Sequence, residues 1–388
     1  MSRPNIPILT SLRFFAALLV VLHHYWPARG MLPHSLTTFG YQAVTFFFIL
    51  SGFVLTYTYM SEPSHKHAAA LKVDVRRFYL ARFARLAPLY WVALAASAYF
   101  FYRLCFVADR ISTTDYTAGM ILAPLFAQAW LPQLATNWNP PSWSLSVEWF
   151  FYLAFPVVAA LVRRVNPWLT ILICLAINHG LVELARDLRR DLGPGDDLTY
   201  WSKVIAYFPP LLLPQFVMGM ALAQIHLTWR VQRSHAFDWA VAAILVATAL
   251  YQTNPPHIVH FIPFRDFLLA AFAVLVLSAA NARGLVADLF SHKGLVLLGE
   301  ASYALYILHF PLLQWWSHLG VQSSFEGGYE LLGLGCFLAL AIGASLALHL
   351  AIEIPARRYI LSRAVAKTTP AQLQQRNRLH QTQAHARG

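Results

Sequence analysis

The chain has 388 residues, of which 12% are charged and 58% hydrophobic, and its formal net charge is +12. A soluble domain carries about 25% charged residues, so half the usual surface charge is missing. This balance, with a mean hydropathy of +0.51, excludes a soluble enzyme, a disordered chain and a secreted disulfide scaffold. What remains is a polytopic membrane protein, and 12 Trp, 17 Tyr and 27 Phe suit its interfacial aromatic belts.

The first apolar run follows only Arg3, has no small-residue cleavage site and contains Arg13, so it reads as a retained helix and not a signal peptide. A span needs about 20 mostly apolar residues. Candidate spans cover residues 8–26, 40–60, 86–103, 142–162, 167–185, 204–225, 237–251, 264–281, 296–318 and 330–352. The run 117–131 is short, about 15 residues, and reads either as an eleventh span or as a re-entrant segment, its length arguing against a crossing. With ten spans and a cytoplasmic N-terminus, twenty Lys and Arg fall on the inner side and eight on the outer, and intramembrane Arg13 completes the 29. That asymmetry follows the positive-inside rule, whereas an eleventh crossing would invert every later loop. The expected fold is therefore all-α: one bundle of about ten transmembrane helices, both termini cytoplasmic, multi-pass in the cytoplasmic (inner or plasma) membrane. Residues 1–355 form the membrane domain. Residues 356–388 read as a basic cytoplasmic tail, interfacial at first and then disordered.

The basic residues punctuate apolar runs and form no contiguous patch, so the bilayer and not nucleic acid is the expected partner. Cys105, Cys174 and Cys336 are far apart and form no CxxC, and the histidines lack metal-ligand spacing, so no metal is expected.

Ionisable groups inside spans are costly and mark cavities, partners or pathways. Arg13 and His24 are eleven residues apart on the first helix, which returns them to within about 20° of one face, about 16 Å apart along the axis. The segment NWNPPSWSLSVEWFFYLAFP carries Glu148. If its helix starts near Ser142 at the outer boundary, Glu148 lies about 9 Å inside, at the depth of His24. A carboxylate and an imidazole at one level can act as general base and orienting partner. Alternatively they form a structural pair that locks two helices. Asn139, Trp143, Ser144 and Ser146 add hydrogen-bonding capacity nearby. The inner loop DVRRFYLARFARLAPLYW places Arg82 and Arg85 on one helical face. Their guanidinium forks suit phosphates, or else they are orientation charges facing anionic lipid. Near the end, LLGEASYALYILHFPLL embeds Glu300, Ser302, Tyr303 and His309 in one span, with Ser302 and His309 two turns apart.

Four segments in order resemble the acyltransferase-3 family of integral membrane acyltransferases. They are Arg13-(ten residues)-His24, Arg82-Phe-Ala-Arg85, Pro-Ser-Trp-Ser-Leu-Ser-Val-Glu148, and Gly299-Glu-Ala-Ser-Tyr303-Ala-Leu-Tyr306-Ile-Leu-His309. The resemblance runs from about residue 6 to Pro355, to members without the appended extracytoplasmic SGNH-type domain. It implies transfer of an acyl group, usually acetyl, from cytoplasmic acyl-coenzyme A to a hydroxyl of a glycan, a lipid-linked sugar or a small molecule. It further implies that His24, Glu148 and Arg13 are catalytic and that Arg82 and Arg85, with Arg13, bind the donor. Trp143, Ser144, Tyr303 and His309 are the candidate substrate-binding residues. The donor's pantetheine arm would thread between the helices past Arg13. The rival class is a secondary transporter or a lipid or glycan flippase, which also carries mid-span charges, although no inverted repeat is evident.

Overall fold

In their described residues the ten apolar runs lie mostly on helix in the computed structural model, run 204–225 being divided at Phe208, and the structure describes residues 3–25, 34–60, 74–192, 196–229, 234–253 and 264–366. In chain order the helices are α1 (Pro7–His24), α2 (His34–Tyr59), α3 (Val75–Phe106), α4 (Thr113–Leu122), α5 (Trp143–Val162), α6 (Pro167–Asp191), α7 (Asp196–Tyr207) and α8 (Pro209–Trp229). They continue as α9 (Ala236–Thr253), α10 (Phe264–Ala280), α11 (Leu285–Phe290), α12 (Lys293–Glu300), α13 (Ser302–His318), α14 (Glu330–Leu348) and α15 (Ile354–Ala366). No strand occurs among the described residues. Seven helical segments are long and apolar enough to cross a membrane, and the bent pair α12–α13 makes an eighth. The chain is an all-α polytopic membrane protein.

The most extensive contact is between α2 and α8, and glycine makes it. A Cβ on Gly52 would lie 1.9 Å from the Phe216 carbonyl oxygen, and one on Gly219 would lie 1.8 Å from that of Ile49. Without side chains at these two positions the backbones approach closely, which is how helices gain dispersion energy where lipid offers no hydrophobic drive. The α1 helix packs on α2, α12 and α13, so it runs through the centre of the bundle with Arg13 and His24 on it.

The 117–131 run does not form a spanning helix. The α4 helix has 10 residues, about 15 Å of rise, capped at its start by Ser112 Oγ, which accepts from the Asp115 N–H at 3.0 Å. Three short 3₁₀ turns at Gln128–Trp130, Pro132–Leu134 and Pro140–Ser142 then lead back into the protein. Irregular backbone at membrane depth must have its polar groups satisfied by protein. Here Tyr90 OH donates to the Ala123 carbonyl at 2.7 Å, Trp138 Nε1 to Leu94 at 3.0 Å, Asn139 Nδ2 to Ile307 at 3.0 Å and Gln128 Nε2 to Ser142 at 2.9 Å. The helix α5 consequently begins inside the protein, at buried Ser142 and Trp143, and not at the outer membrane boundary.

Three further differences from the sequence reading bear on the site. The α3 helix begins at Val75, so Arg82 and Arg85 are within a long helix and not in a loop. The 296–318 run breaks at Ala301 with a bend of 57°, where Ser302 Oγ donates to the Gly299 carbonyl at 2.7 Å. Beyond α14 a π-turn at His349–Glu353 leads into α15, which packs on α3. Pro355 does not end the helix, because it sits in the first turn of α15, where its missing N–H has no partner to lose. Residues 356–366 of the expected tail are therefore helical, while 367–388 lie outside the described residues.

Candidate active site

Five helices deliver polar side chains to one chamber of about 110 Å³. Arg13 comes from α1, Ser51 from α2, Arg82 and Arg85 from α3, Ser144, Glu148 and Tyr152 from α5, and Ser302, Tyr303 and Tyr306 from α13. The rest of the wall is apolar, including Phe47, Phe48, Leu86 and Leu145. Glu148 Oε1 accepts from the hydroxyl of Tyr152, one turn on, and from Ser51 Oγ at 3.3 Å. The hydroxyls of Ser144 and Tyr306 lie 2.7 Å apart and both reach the Pro141 carbonyl, at 3.1 and 2.9 Å. Tyr303 OH donates to the Leu86 carbonyl at 2.7 Å.

The arginines are arranged differently from the carboxylates. Among the described residues Arg13, Arg82 and Arg85 form no ion pair. The Arg82 guanidinium lies over the rings of Phe78 and Tyr152, at 5.9 and 5.8 Å to the centroids, and its Nε is buried without a hydrogen-bond partner. Both Glu148 and Glu353 act electrostatically on Arg13 and Arg85, but each carboxylate is already held elsewhere. Glu353 Oε2 sits 2.8 Å from His349 Nδ1 across the π-turn, and both residues are buried. Three cations facing a small cavity, with the nearby anions held by other groups, make a ready receptor for an oxyanion.

His24 stands one step beyond the chamber wall. Its Nδ1 is 2.9 Å from the Val20 carbonyl oxygen and 3.2 Å from His309 Nε2, and His309 Nδ1 is 3.2 Å from the Leu305 carbonyl. A carbonyl only accepts, so Nδ1 carries the proton in both rings. His309 Nε2 then accepts from His24 Nδ1–H, and the basic lone pair of His24 is on Nε2. The two rings are 5.1 Å apart between centroids, and Tyr306 of the chamber wall is 6.3 Å from His309. Chamber, Tyr306, His309 and His24 form one continuous series.

The structure brings Arg13, Arg82, Arg85, Glu148, Ser144 and Tyr303 to one chamber, with His309 and His24 directly beyond it. It does not pair His24 with Glu148, and it does not place them at one depth. Glu148 shares the chamber with Arg13, about 16 Å below His24 on the same helix, because α5 starts inside the protein. The orienting partner of His24 is His309. Trp143 is not part of the chamber; it stacks on Tyr41 at 6.1 Å and meets Tyr207 at 5.0 Å. Asn139 and Ser146 tie down the re-entrant segment, Ser146 Oγ accepting from the Ala129 N–H at 3.3 Å. Sequence reasoning missed Tyr152, Ser51, His349 and Glu353. Tyr152 was within reach, at the i+4 position from Glu148, whereas Ser51 and the π-turn pair left no sequence signal. No group of three metal-ligating side chains occurs among the described residues.

The sequence has counterparts among known proteins. Residues 6–350 match the family model of the acyltransferase domain, and the chain belongs to the acyltransferase-3 family. It is 30% identical to Acyltransferase MdmB of Streptomyces mycarofaciens, over 94% of this chain and 95% of that protein. It is 24% identical to the O-acetyltransferase OatA of Staphylococcus aureus, over 79% of this chain and 50% of that protein. To the putative peptidoglycan O-acetyltransferase YrhL of Bacillus subtilis it is 23% identical, over 79% of this chain and 48% of that protein. The chain thus matches MdmB over nearly its whole length and about half the length of the other two. No solved structure matches. The protein is an acyltransferase, and the transporter or flippase reading falls.

Proposed function

We propose that the protein takes an acyl group, acetyl in the simplest case, from cytoplasmic acyl-coenzyme A and delivers it to an acceptor hydroxyl at or across the membrane. The observation that carries this reading is the convergence of Arg13, Arg82 and Arg85, none of them ion-paired, on one chamber that leads by way of Tyr306 and His309 to His24. A thioester donor of this kind needs cations for its phosphates and an apolar route for its arm, and both are present. At the far end, an acceptor hydroxyl must lose its proton as it attacks the thioester carbonyl. An imidazole with unperturbed pKa near 6.5 is the side chain best matched to that task, and His24, next to His309, is our candidate for it. The collapse of the tetrahedral intermediate releases the coenzyme thiol, which regains a proton from the imidazolium. Glu148, held by Tyr152 and Ser51, lies on the same chamber as Arg13 and Arg85 and orders them for the donor.

Two relatives' names support a hydroxyl as the acceptor group: OatA is named an O-acetyltransferase and YrhL a putative peptidoglycan O-acetyltransferase, and a glycan is a natural carrier of hydroxyls. The test is donor chemistry in purified protein. Labelled acetyl-coenzyme A should bind and release its acetyl group, and Arg82→Ala and Arg85→Ala should each weaken binding about ten-fold or more, the worth of one charge-assisted contact. Lysine should restore binding only in part, since it lacks the two-pronged fork. Full donor affinity in both alanine variants would return the two arginines to the role of topology signals.

A further inference from the structure

A second chamber adjoins the first, and the proposed acyl transfer does not account for its lining. It is much larger, about 620 Å³, and shares Arg13, Arg85, Leu50 and Val54 with the smaller one. Arg13 and Arg85 therefore stand at the neck between two spaces. The large chamber is closed by the two ends of the described chain. Arg3 precedes α1, and Arg357 and Arg358 lie on α15. Arg3 is fixed there: its guanidinium donates to the Tyr57 carbonyl and lies over the Tyr57 ring at 5.3 Å.

Charge is badly unbalanced in this space. Five arginines line it against two carboxylates, Glu300 and Glu353, and Glu353 is already held by His349. The Arg357 guanidinium is close enough to those of Arg82 and Arg85 to be repelled by them. Like charges gathered around a concave space without carboxylate partners make a receptor for a polyanion that several of them can share. Size separates the two chambers as well. Sites for drug-sized ligands and cofactors hold roughly 300–1,000 Å³, a range that includes the large chamber and excludes the small one. A nucleotide does not fit beside Arg82 and Glu148, but a slender thioester arm does.

We propose that the large chamber, through Arg3, Arg357 and Arg358, holds a phosphorylated head group, the 3′-phosphorylated adenosine diphosphate of the acyl donor, while Arg13 and Arg85 form the neck through which its arm enters the small chamber. This inference rests on the donor reading above and adds to it: the base and 3′-phosphate go to residues at the two ends of the chain, while the diphosphate stays at the neck, where Arg13 and Arg85 face it and Arg82 lies just inside the small chamber. The same chemistry is offered by the headgroup of an anionic phospholipid, and the experiment separates the two.

The full chain is purified in detergent, and bound radiolabelled acetyl-coenzyme A is displaced by adenosine 3′,5′-bisphosphate, by S-acetylpantetheine or by phosphatidylglycerol. In the Arg357→Ala/Arg358→Ala double variant, affinity for acetyl-coenzyme A and for the bisphosphate falls about ten-fold or more. Competition by S-acetylpantetheine, which has no nucleotide, stays within about two-fold. The Arg357→Lys/Arg358→Lys variant is intermediate, and Arg363→Ala, outside the chamber, is unchanged. Unchanged affinities for the coenzyme and the bisphosphate overturn the proposal. So does an equal loss for S-acetylpantetheine, which marks a general distortion. Displacement by phosphatidylglycerol that depends on the two arginines, with none by the bisphosphate, overturns it in favour of lipid. In these outcomes acetyl-coenzyme A still binds the wild type and the acyltransferase reading stands; failure of the wild type to bind it at all defeats that reading instead.

Discussion

At the scale of single residues, the two adjacent histidines on α1 show how a helix sorts function by angle. They differ by about 100° around the axis. His23 is turned toward α2, where a Cβ on Gly40 would lie 2.1 Å from its own Cβ. His24 is turned toward α13 and meets His309. His24→Ala should cut acyl transfer by at least ~10²-fold, the worth of a general base, with donor binding preserved. His23→Ala keeps the Cβ that packs on α2 and should retain most of the activity. His309 acts through His24 as a positioning residue, holding the Nδ1 tautomer. His309→Ala should lower kcat without raising donor KM, and His309→Gln, whose amide oxygen can still accept from Nδ1–H, should recover part of the loss. Single-turnover transfer rates at matched membrane expression decide the matter. Wild-type kcat in His309→Ala would mean that the histidine pair is only a packing contact.

At the scale of elements, close helix approach gives a sharp stability prediction. Gly219→Ala puts a methyl group 1.8 Å from the Ile49 carbonyl oxygen, so α2 and α8 must move apart, and with them Ser51 and the Glu148 it supports. Overpacking of this kind costs about 1–3 kcal/mol, to be read as a lower thermal midpoint in detergent. Gly335→Ala on α14, with nothing within 4 Å of the new methyl, should leave the midpoint unchanged or raise it slightly, because alanine is the better helix former. Equal midpoints in the two variants would remove the glycine crossing as a determinant of the fold. The elements also show what a sequence can record. The described residues of the ten apolar runs lie mostly on helix, because the bilayer demands length and apolarity, which are local properties. The breaks were not legible, because tertiary hydrogen bonds set them. Nothing in Pro140–Pro141–Ser142 states that α5 begins inside the protein; the bonds from Gln128, Trp138 and Asn139 make it so. That one boundary moved Glu148 from the depth of His24 to that of Arg13. Arg13, Arg82 and Arg85 were legible as site candidates, since an ionisable group in or beside a span draws attention to itself. Glu353 was not, because it lies just past a run read as ending at residue 352.

At the scale of the whole molecule, the charge count and the larger chamber bear on one orientation. The positive-inside rule, applied to twenty basic residues against eight, predicts a cytoplasmic N-terminus and a cytoplasmic basic end. The larger chamber is lined by Arg3 and by Arg357 and Arg358, so it lies on the side of the termini. His24, about 16 Å further along α1 than Arg13, lies toward the opposite side. A soluble cytoplasmic donor would then enter where the cations are, and the acyl group would emerge near His24, toward the acceptor. The orientation is open to direct measurement. A reporter fused after Lys367 should give the cytoplasmic signal, and one inserted in residues 186–203 should give the outer one. Signals from the same side at both positions would break the ten-span arrangement. Both signals reversed would leave the helices in place but put the arginine-lined chamber on the outer face, where cytoplasmic acyl-coenzyme A does not reach, and the direction of transfer drawn here would fail with it.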